Sequence, residues 1–187
     1  MVAVCSERAL CALEFASDAR LSGLTRRLSR WFDRERIVER ASDDESPHGL
    51  VLNRVRDALT AYFDGTSAMW PGIELDPRGT EFEQRVWTAL RSIPAGTTSS
   101  YGGVARAIGA PGAARAVGLA NGANPLAIIV PCHRVIGADG SLTGYGGGLE
   151  RKKWLLSHER RHWNALPLWL TDDFLSPASA NVQPKGG

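Results

Sequence analysis

The chain has 187 residues, of which 43% are hydrophobic and 22% charged, and its formal net charge is +2. These values are ordinary for a globular protein and exclude a wholly disordered chain, collagen and a coiled coil. No apolar run approaches the roughly 18 residues of a membrane span, and the first residues do not form a signal peptide. Three cysteines without a CxxC pair argue against a disulfide scaffold or a four-cysteine zinc site, so we expect a reducing, cytoplasmic location.

The N-terminal part predicts a small α/β unit. Two apolar runs of strand length, residues 2–5 and 10–15, are separated by a polar turn. Apolar residues at helical spacing then predict one helix over residues 21–32 and another over residues 52–63. Residues 36–40 are a candidate third strand between these helices.

Basic side chains are concentrated in the middle of the chain. Residues 80–162 carry 10 basic and 5 acidic side chains, a balance that suits a polyanion-binding segment, although on charge alone a solvated surface is the better explanation. Five more arginines lie near the first helix and are interleaved with acids: Arg26, Arg27, Arg30, Arg34 and Arg36. We interpret them as a solvated helix face.

Residues 65–79 contain five glycines and prolines, which is typical of a linker. We therefore expect an N-terminal α/β structural domain over residues 1–78 and a C-terminal domain over residues 79–162. Residues 163–187 would be an extension whose end, from residue 176, is disordered.

The C-terminal domain opens with helical signals. Thr80 followed by Glu83 is a capping-box pattern that predicts a helix start. Residues 97–100 supply caps for the next helix, and residues 109–112 form a turn before a helix of small residues over 113–121. Two short helices joined by a glycine-containing turn are typical of a helix-turn-helix, although the signal is weak by itself.

A buried apolar run, residues 126–130, leads into Pro131, Cys132 and His133. A thiol reacts as its thiolate, so a nucleophilic cysteine needs a base or a positive charge beside it. The adjacent histidine and the glycine-rich loop over residues 137–148 suggest an exposed, rigidly held thiol. A buried structural cysteine is the simpler alternative, and a zinc site is disfavoured because no second ligand pair has suitable spacing.

A last helix follows the glycine-rich loop. Leu149, Lys153, Leu156 and Glu159 lie in its successive turns. We expect its Trp154 and Leu155 to pack inward.

Residues 131–137 read PCHRVIG and closely resemble the active-site motif of the O6-alkylguanine-DNA alkyltransferases. The match continues in family order with RGTEFEQRVW at 78–87, IPAGTTSSY at 93–101, ARAVG at 114–118, NP at 124–125 and the segment 144–159. It is strong over residues 79–160 and general over residues 1–78. The resemblance implies a ribonuclease H-like α/β N-terminal domain, followed by a mostly α-helical C-terminal domain with a winged-helix-like helix-turn-helix.

The resemblance also implies chemical roles for five residues. Cys132 would accept the alkyl group, and His133 would act through a water as the base that takes the thiol proton. Glu159 would orient His133, as in a catalytic triad, although a plain salt bridge to Arg151 or Arg160 is the simpler role. Asn124 would brace the turn that carries the cysteine, and Tyr145 would hydrogen-bond the flipped guanine.

Further residues would bind DNA or shape the pocket. Arg115 would fill the gap left by the flipped nucleotide, and Tyr101 would press on the neighbouring phosphate. The remaining DNA-contacting residues implied are Ser100, Ala114 and Ala116. The pocket residues implied are Val135, through its carbonyl, and Gly146 and Gly147. Some relatives carry a hydroxyl residue at position 146.

Elementary chemistry agrees with these roles, because an alkyl carbon inside a duplex is unreachable unless the base leaves the stack. We therefore expect stoichiometric, irreversible transfer of the alkyl group from O6-alkylguanine in duplex DNA, and less from O4-alkylthymine, to Cys132. We expect no cofactor, no metal, no membrane, and a monomer that could cluster on DNA.

Three alternatives stay open. A non-catalytic alkylated-DNA-binding protein would lack the acceptor cysteine, which is present here. A DNA-binding regulator would carry a methyl-sensing zinc module, which this chain lacks. A hydrolytic cysteine enzyme would turn over steadily.

Overall fold

The computed structural model describes residues 1–32 and 45–163. Its elements, in chain order, are β1 (Val2–Cys5), β2 (Ala9–Glu14), α1 (Asp18–Trp31), α2 (Pro47–Phe63), β3 (Glu74–Leu75), α3 (Glu81–Arg91), β4 (Ser99–Ser100), α4 (Tyr101–Ala107), α5 (Ala114–Gly122), β5 (Val135–Ile136) and α6 (Leu149–Trp163). The expected third strand at residues 36–40 and the expected disordered end from residue 176 lie outside the described residues. No helix in the described ranges is long and apolar enough to cross a membrane.

The N-terminal part is a three-stranded sheet with two helices, and its first two strands lie within one residue of their predicted positions. β1 pairs with β2 in antiparallel register, and β3 pairs with the start of β2 in parallel. Residues 65–79 were expected to be a linker only, so β3 is a correction. A strand of two residues is too short to leave an alternating pattern in the sequence.

The helix boundaries follow the capping signals. The Glu83 amide donates to Thr80 Oγ1 at 3.3 Å, and the Thr80 amide donates to Glu83 Oε2 at 2.8 Å, which completes the predicted capping box. Ser100 caps α4, since the Gly103 amide donates to Ser100 Oγ at 3.0 Å. Gly65, with a φ of 71°, ends α2 in the left-handed conformation that glycine allows.

The core runs continuously from the N-terminal sheet into the C-terminal helices. Leu10 and Leu13 of β2 belong to the same buried cluster as Val86, Leu90 and Val104. The backbone also joins the two parts, because the Leu13 amide donates to Pro125 O at 2.8 Å and the Ala127 amide donates to Leu13 O at 2.9 Å. The sheet therefore supports the segment that leads to Cys132.

The inward face of α6 differs from the prediction. Trp154 was expected to pack inward but is 52% exposed, whereas Leu155 is buried as expected. The other buried residues of this helix are Lys152, His158 and Glu159. The prediction for Trp154 depended on hydrophobicity alone. Polar side chains can occupy the buried face of a helix when each one has hydrogen-bond partners.

Arg26 and Arg30 of α1 are exposed as predicted, whereas Arg27 is half-buried. Its Nη2 donates to Glu14 Oε2 at 3.2 Å and its Nη1 to Ala123 O at 3.0 Å. Glu14 is fully buried at the end of β2, and a buried carboxylate needs a charged partner. Arg34 and Arg36 lie outside the described residues.

Candidate active site

A short turn holds the cysteine. Residues 126–130 are buried, and a 3-10 turn, Cys132–Arg134, follows them. Asn124 braces this segment from within: its Nδ2 donates to Val130 O at 2.8 Å, and its Oδ1 accepts from the Leu126 amide at 3.0 Å. Ile128, between them, has a φ of 72°, a conformation that costs a β-branched residue energy and is found where the surroundings enforce it. These two hydrogen bonds place Asn124 where a brace of this segment would lie, and its role stays a prediction.

The thiol itself is buried, which corrects the expectation of an exposed one. Cys132 is 7% exposed and belongs to the main buried cluster, against which Tyr145 of the glycine-rich loop packs. Burial raises the pKa of the thiol, and a hydrogen bond with Asn124 and the charge of Arg20 act in the opposite direction. At neutral pH the thiol is therefore protonated and needs a base before it can attack.

A small cavity opens beside the cysteine, with water-sized free space of about 10 Å³. Its wall combines β2, α1, the segment after α5 and the glycine-rich loop, and includes Glu14, Arg20, Asn124, Cys132, Tyr145 and Gly147. The expected pocket residues Gly146 and Gly147 thus lie beside the cysteine. Val135 does not line this cavity.

The Val135 carbonyl is engaged elsewhere. It accepts from Lys152 Nζ at 2.6 Å, and the same ammonium donates to Thr143 O at 2.6 Å. The pKa of Lys152 is lowered to about 8 by burial, and the neighbouring Cys132 partly opposes this shift. Lys152 therefore ties β5 to the glycine-rich loop, a contact that the sequence did not indicate.

His133 and Glu159 form the expected pair. Both are fully buried, and His133 Nε2 lies 2.8 Å from Glu159 Oε1. A carboxylate only accepts, so Nε2 carries the proton and Nδ1 keeps its lone pair. Nδ1 is buried and has no hydrogen-bond partner among the described residues. Burial lowers the pKa of His133, against the opposing effect of Glu159, so the ring is neutral and can take a proton.

Glu159 has more partners than the sequence suggested. Arg134 binds it in a fork, with Nε donating to Oε2 and Nη2 to Oε1, both at 2.8 Å. Tyr62 donates its hydroxyl to Oε1 at 2.7 Å, and the Gly96 amide donates to Oε2 at 3.2 Å. Although burial acts to raise the pKa of Glu159, the hydrogen bonds from His133 and Arg134 hold it well below its usual range.

Tyr145 contacts His133 and also lines the cavity. Its ring meets His133 edge-on at 6.5 Å between centroids and Phe15 at 6.3 Å. Its hydroxyl is buried and has no partner within the part of the chain that the structure describes. Burial raises the pKa of this hydroxyl, so it stays protonated and can donate a hydrogen bond. A Cβ on Gly147 would come within 2.6 Å of Tyr145 Cε1, so glycine at that position lets the ring lie against the loop.

The expected DNA-contacting residues lie on α4 and α5. Arg115 and Ala116 are exposed in the first turn of α5, and Ala114 beside them is half-buried. Tyr101 begins α4, and its hydroxyl donates to Thr143 O at 3.2 Å, which links this helix to the glycine-rich loop. Ser100 uses its hydroxyl to cap α4. These residues were therefore predicted on the right elements.

The sequence did not predict several of the side chains at the site. Tyr62, Arg20 and Glu14 come from the N-terminal part, far along the chain from the cysteine motif, and no local pattern marks them. Arg134 lies within the motif, and its position beside a candidate base was the available signal. In residues 1–32 and 45–163, no group of three or more histidines, cysteines and acids could hold a metal ion.

Comparisons with known proteins identify the family of the chain. The family model for the 6-O-methylguanine DNA methyltransferase, DNA binding domain, matches residues 81–161. A methylated-DNA–protein-cysteine methyltransferase of Mycolicibacterium paratuberculosis is 67% identical over 106 residues, which are 57% of this chain and 64% of that protein. The Mycobacterium bovis protein of the same name is 66% identical over 126 residues, 67% of this chain and 76% of its own length.

Two solved structures are also similar to this chain. The crystal structure of Mycobacterium tuberculosis OGT in complex with DNA is 62% identical with a TM-score of 0.58, covering 59% of this chain and 68% of that one. The O6-methylguanine-DNA methyltransferase from Pyrococcus kodakaraensis is 27% identical with a TM-score of 0.58, covering 84% and 89%. The motif resemblance is thereby confirmed, and the chain belongs to the methylated-DNA–protein-cysteine methyltransferase family.

Proposed function

We propose that the chain repairs O6-alkylguanine in duplex DNA by transferring the alkyl group to its own Cys132. The observation that carries this proposal is a buried cysteine at a cavity beside a neutral His133, whose tautomer is set by Glu159. The names of the relatives support the same activity.

The chemistry follows from the atoms present. His133 Nδ1 accepts the thiol proton through a water, and the thiolate attacks the alkyl carbon. The sulfur–carbon bond forms as the bond from carbon to O6 breaks, and the electron pair stays on the purine, which takes up a proton. Tyr145, with its protonated hydroxyl at the cavity, donates a hydrogen bond to the base. The thioether is stable, so each molecule reacts once.

The DNA must deliver the base to this cavity. Helix α5 carries small side chains and the exposed Arg115, which suits a close approach with the arginine filling the gap in the stack. Tyr101 presses on the phosphate, and Ser100, Ala114 and Ala116 complete the contact surface. The M. tuberculosis OGT structure in complex with DNA supports DNA as the partner.

The finer architecture is part of the same proposal. Residues 1–78 form a ribonuclease H-like structural domain, residues 79–162 form the DNA-binding and transfer domain with a winged-helix-like helix-turn-helix, and residues 163–187 are an extension. We further propose a cytoplasmic monomer that can cluster on DNA. The order of a small sheet with helices, then a mostly helical part, supports this division.

The test is a stoichiometry measurement with excess duplex containing O6-methylguanine. The wild type should repair one lesion per protein and then stop, and Cys132→Ser should bind the duplex and repair none. Continued repair beyond one equivalent would favour a hydrolytic enzyme instead. Binding without any repair by the wild type would favour a non-catalytic binder.

A further inference from the structure

Arg20 lies at the cavity although it belongs to the N-terminal helix α1. It lines the wall together with Cys132 and Tyr145. Its guanidinium packs directly on Gly146, so that a Cβ added at Gly146 would collide with it. Glycine at position 146 is therefore what admits the arginine to this wall.

A buried carboxylate holds the guanidinium in place. Arg20 pairs with Glu14 Oε2, and Arg27 contacts the same oxygen at 3.2 Å. Glu14 is fully buried and the Arg20 side chain is 19% exposed. An arginine carries five N–H donors, and Arg20 Nε has no partner in the described ranges. The cation is thus anchored on one side and retains donors for a ligand.

Other polar atoms of the wall also lack partners. The Tyr145 hydroxyl and Asn121 Oδ1 are buried without a hydrogen bond within residues 1–32 and 45–163. Buried polar atoms are normally paired, so a group of unpaired ones around a cavity indicates a polar ligand. The free space of about 10 Å³ holds about one water, so a purine enters only if the wall moves.

We propose that Arg20 is a specificity-determining residue of the pocket, and that its guanidinium donates to the O6 and N7 edge of the extruded alkylguanine. The inference rests on the proposed function. Arginine binds this edge of guanine in a bidentate manner more often than any other side chain does. When the bond from carbon to O6 breaks, its electron pair stays on O6 and faces the Arg20 guanidinium.

The contact from Arg20 would also discriminate between O6-alkylguanine and O4-alkylthymine. O4-alkylthymine has no N7 acceptor, so it can use only one of the two donors that Arg20 offers. A guanine lesion should therefore react faster than a thymine lesion, and this difference should shrink when Arg20 is removed.

The experiment measures single-turnover methyl transfer from duplexes that contain O6-methylguanine or its 7-deaza analogue, which lacks the N7 acceptor. Arg20→Ala should transfer from O6-methylguanine about ten- to a hundredfold more slowly, as expected for the loss of hydrogen bonds from a charged donor. Arg26→Ala, at an exposed position of the same helix, should match the wild type. The 7-deaza substrate should slow the wild type but should not slow Arg20→Ala further.

A second pair of variants tests whether the slower transfer by Arg20→Ala has a merely structural cause. Gly146→Ser should slow transfer in the wild-type background, where the new side chain collides with Arg20. In the Arg20→Ala background the serine has room, and its hydroxyl should restore part of the rate by donating to O6.

Three results would overturn the inference. Equal rates for Arg20→Ala and the wild type on O6-methylguanine would remove Arg20 from the pocket and leave the proposed function intact. The same fold-loss for Arg20→Ala relative to the wild type on O6-methylguanine and on its 7-deaza analogue, without rescue by Gly146→Ser, would make its role structural. No transfer by the wild type itself would overturn the proposed function together with this inference.

Discussion

Replacing Glu159 by glutamine should weaken the fold and slow alkyl transfer at the same time. The carboxylate accepts five hydrogen bonds, from Tyr62, His133, Gly96 and twice from Arg134. Glutamine offers one oxygen where the carboxylate offers two, and its amide would point N–H groups at existing donors. It also leaves the buried Arg134 guanidinium without its counter-charge.

The magnitude follows from this burial. Breaking a buried ion pair by neutralising one partner costs about 3–5 kcal/mol in the free energy of unfolding. For a chain of this length that corresponds to a fall of about 6–20 °C in Tm. The transfer rate should also fall, by up to the 10²–10⁴-fold that general-base assistance typically contributes. His133 loses both its orienting acceptor and the negative charge that favours its protonated form.

Urea denaturation and single-turnover methyl transfer, measured on the same preparations, check both effects. The rate is taken at a temperature and urea concentration where the variant is fully folded. Glu150→Gln, at an exposed position of α6, is the matched control and should change the unfolding free energy by less than about 1 kcal/mol. A change below about 0.5 kcal/mol for Glu159→Gln, with a wild-type rate at every pH, would refute the reasoning.

Three further changes have definite outcomes. Arg115→Ala should severely reduce transfer from duplex DNA but barely affect transfer from free O6-benzylguanine, and equal losses in the two rate assays would make this arginine structural. The pKa values of His133 and Glu159 are both lowered in the fold, so the unfolded chain takes up protons first as the pH falls. The stability that each group contributes should be complete above its ordinary pKa, 6.5 for His133 and 4.5 for Glu159, and should decline below it. Urea midpoints at pH 7.5, 6, 5 and 4 check this, and a midpoint that stays constant over this range would contradict it. Gly65→Ala should lower the unfolding free energy by about 1–3 kcal/mol because of its positive φ, and because its new Cβ would collide with His162; an unchanged urea midpoint would contradict this.

The segment that carries the motif was largely predictable from the sequence, because its signals are local. The capping box at Thr80 and the caps before α4 each depend on residues a few positions apart, whereas the role of Asn124 was implied by the resemblance to the family. The pairing of His133 with Glu159 spans 26 positions, and only the resemblance to the family indicated it.

The rest of the site depends on contacts that no short pattern encodes. Tyr62 reaches Glu159 across 97 positions, and Arg20 reaches the cavity from α1. The thiol of Cys132 is buried rather than exposed. Its burial depends on tertiary packing, which the sequence around the cysteine does not encode. Trp154 faces outward because paired polar side chains occupy the inner stripe of α6, which hydrophobicity alone cannot reveal.

The most direct test of self-alkylation is the mass of the protein after it has reacted with a duplex containing O6-methylguanine. Every active molecule should gain the mass of one methyl group in place of a proton. Peptide mapping should place this group on Cys132, and neither Cys5 nor Cys11 should carry it. An unchanged protein mass while the lesion disappears, or a methyl group on another residue, would contradict transfer to Cys132.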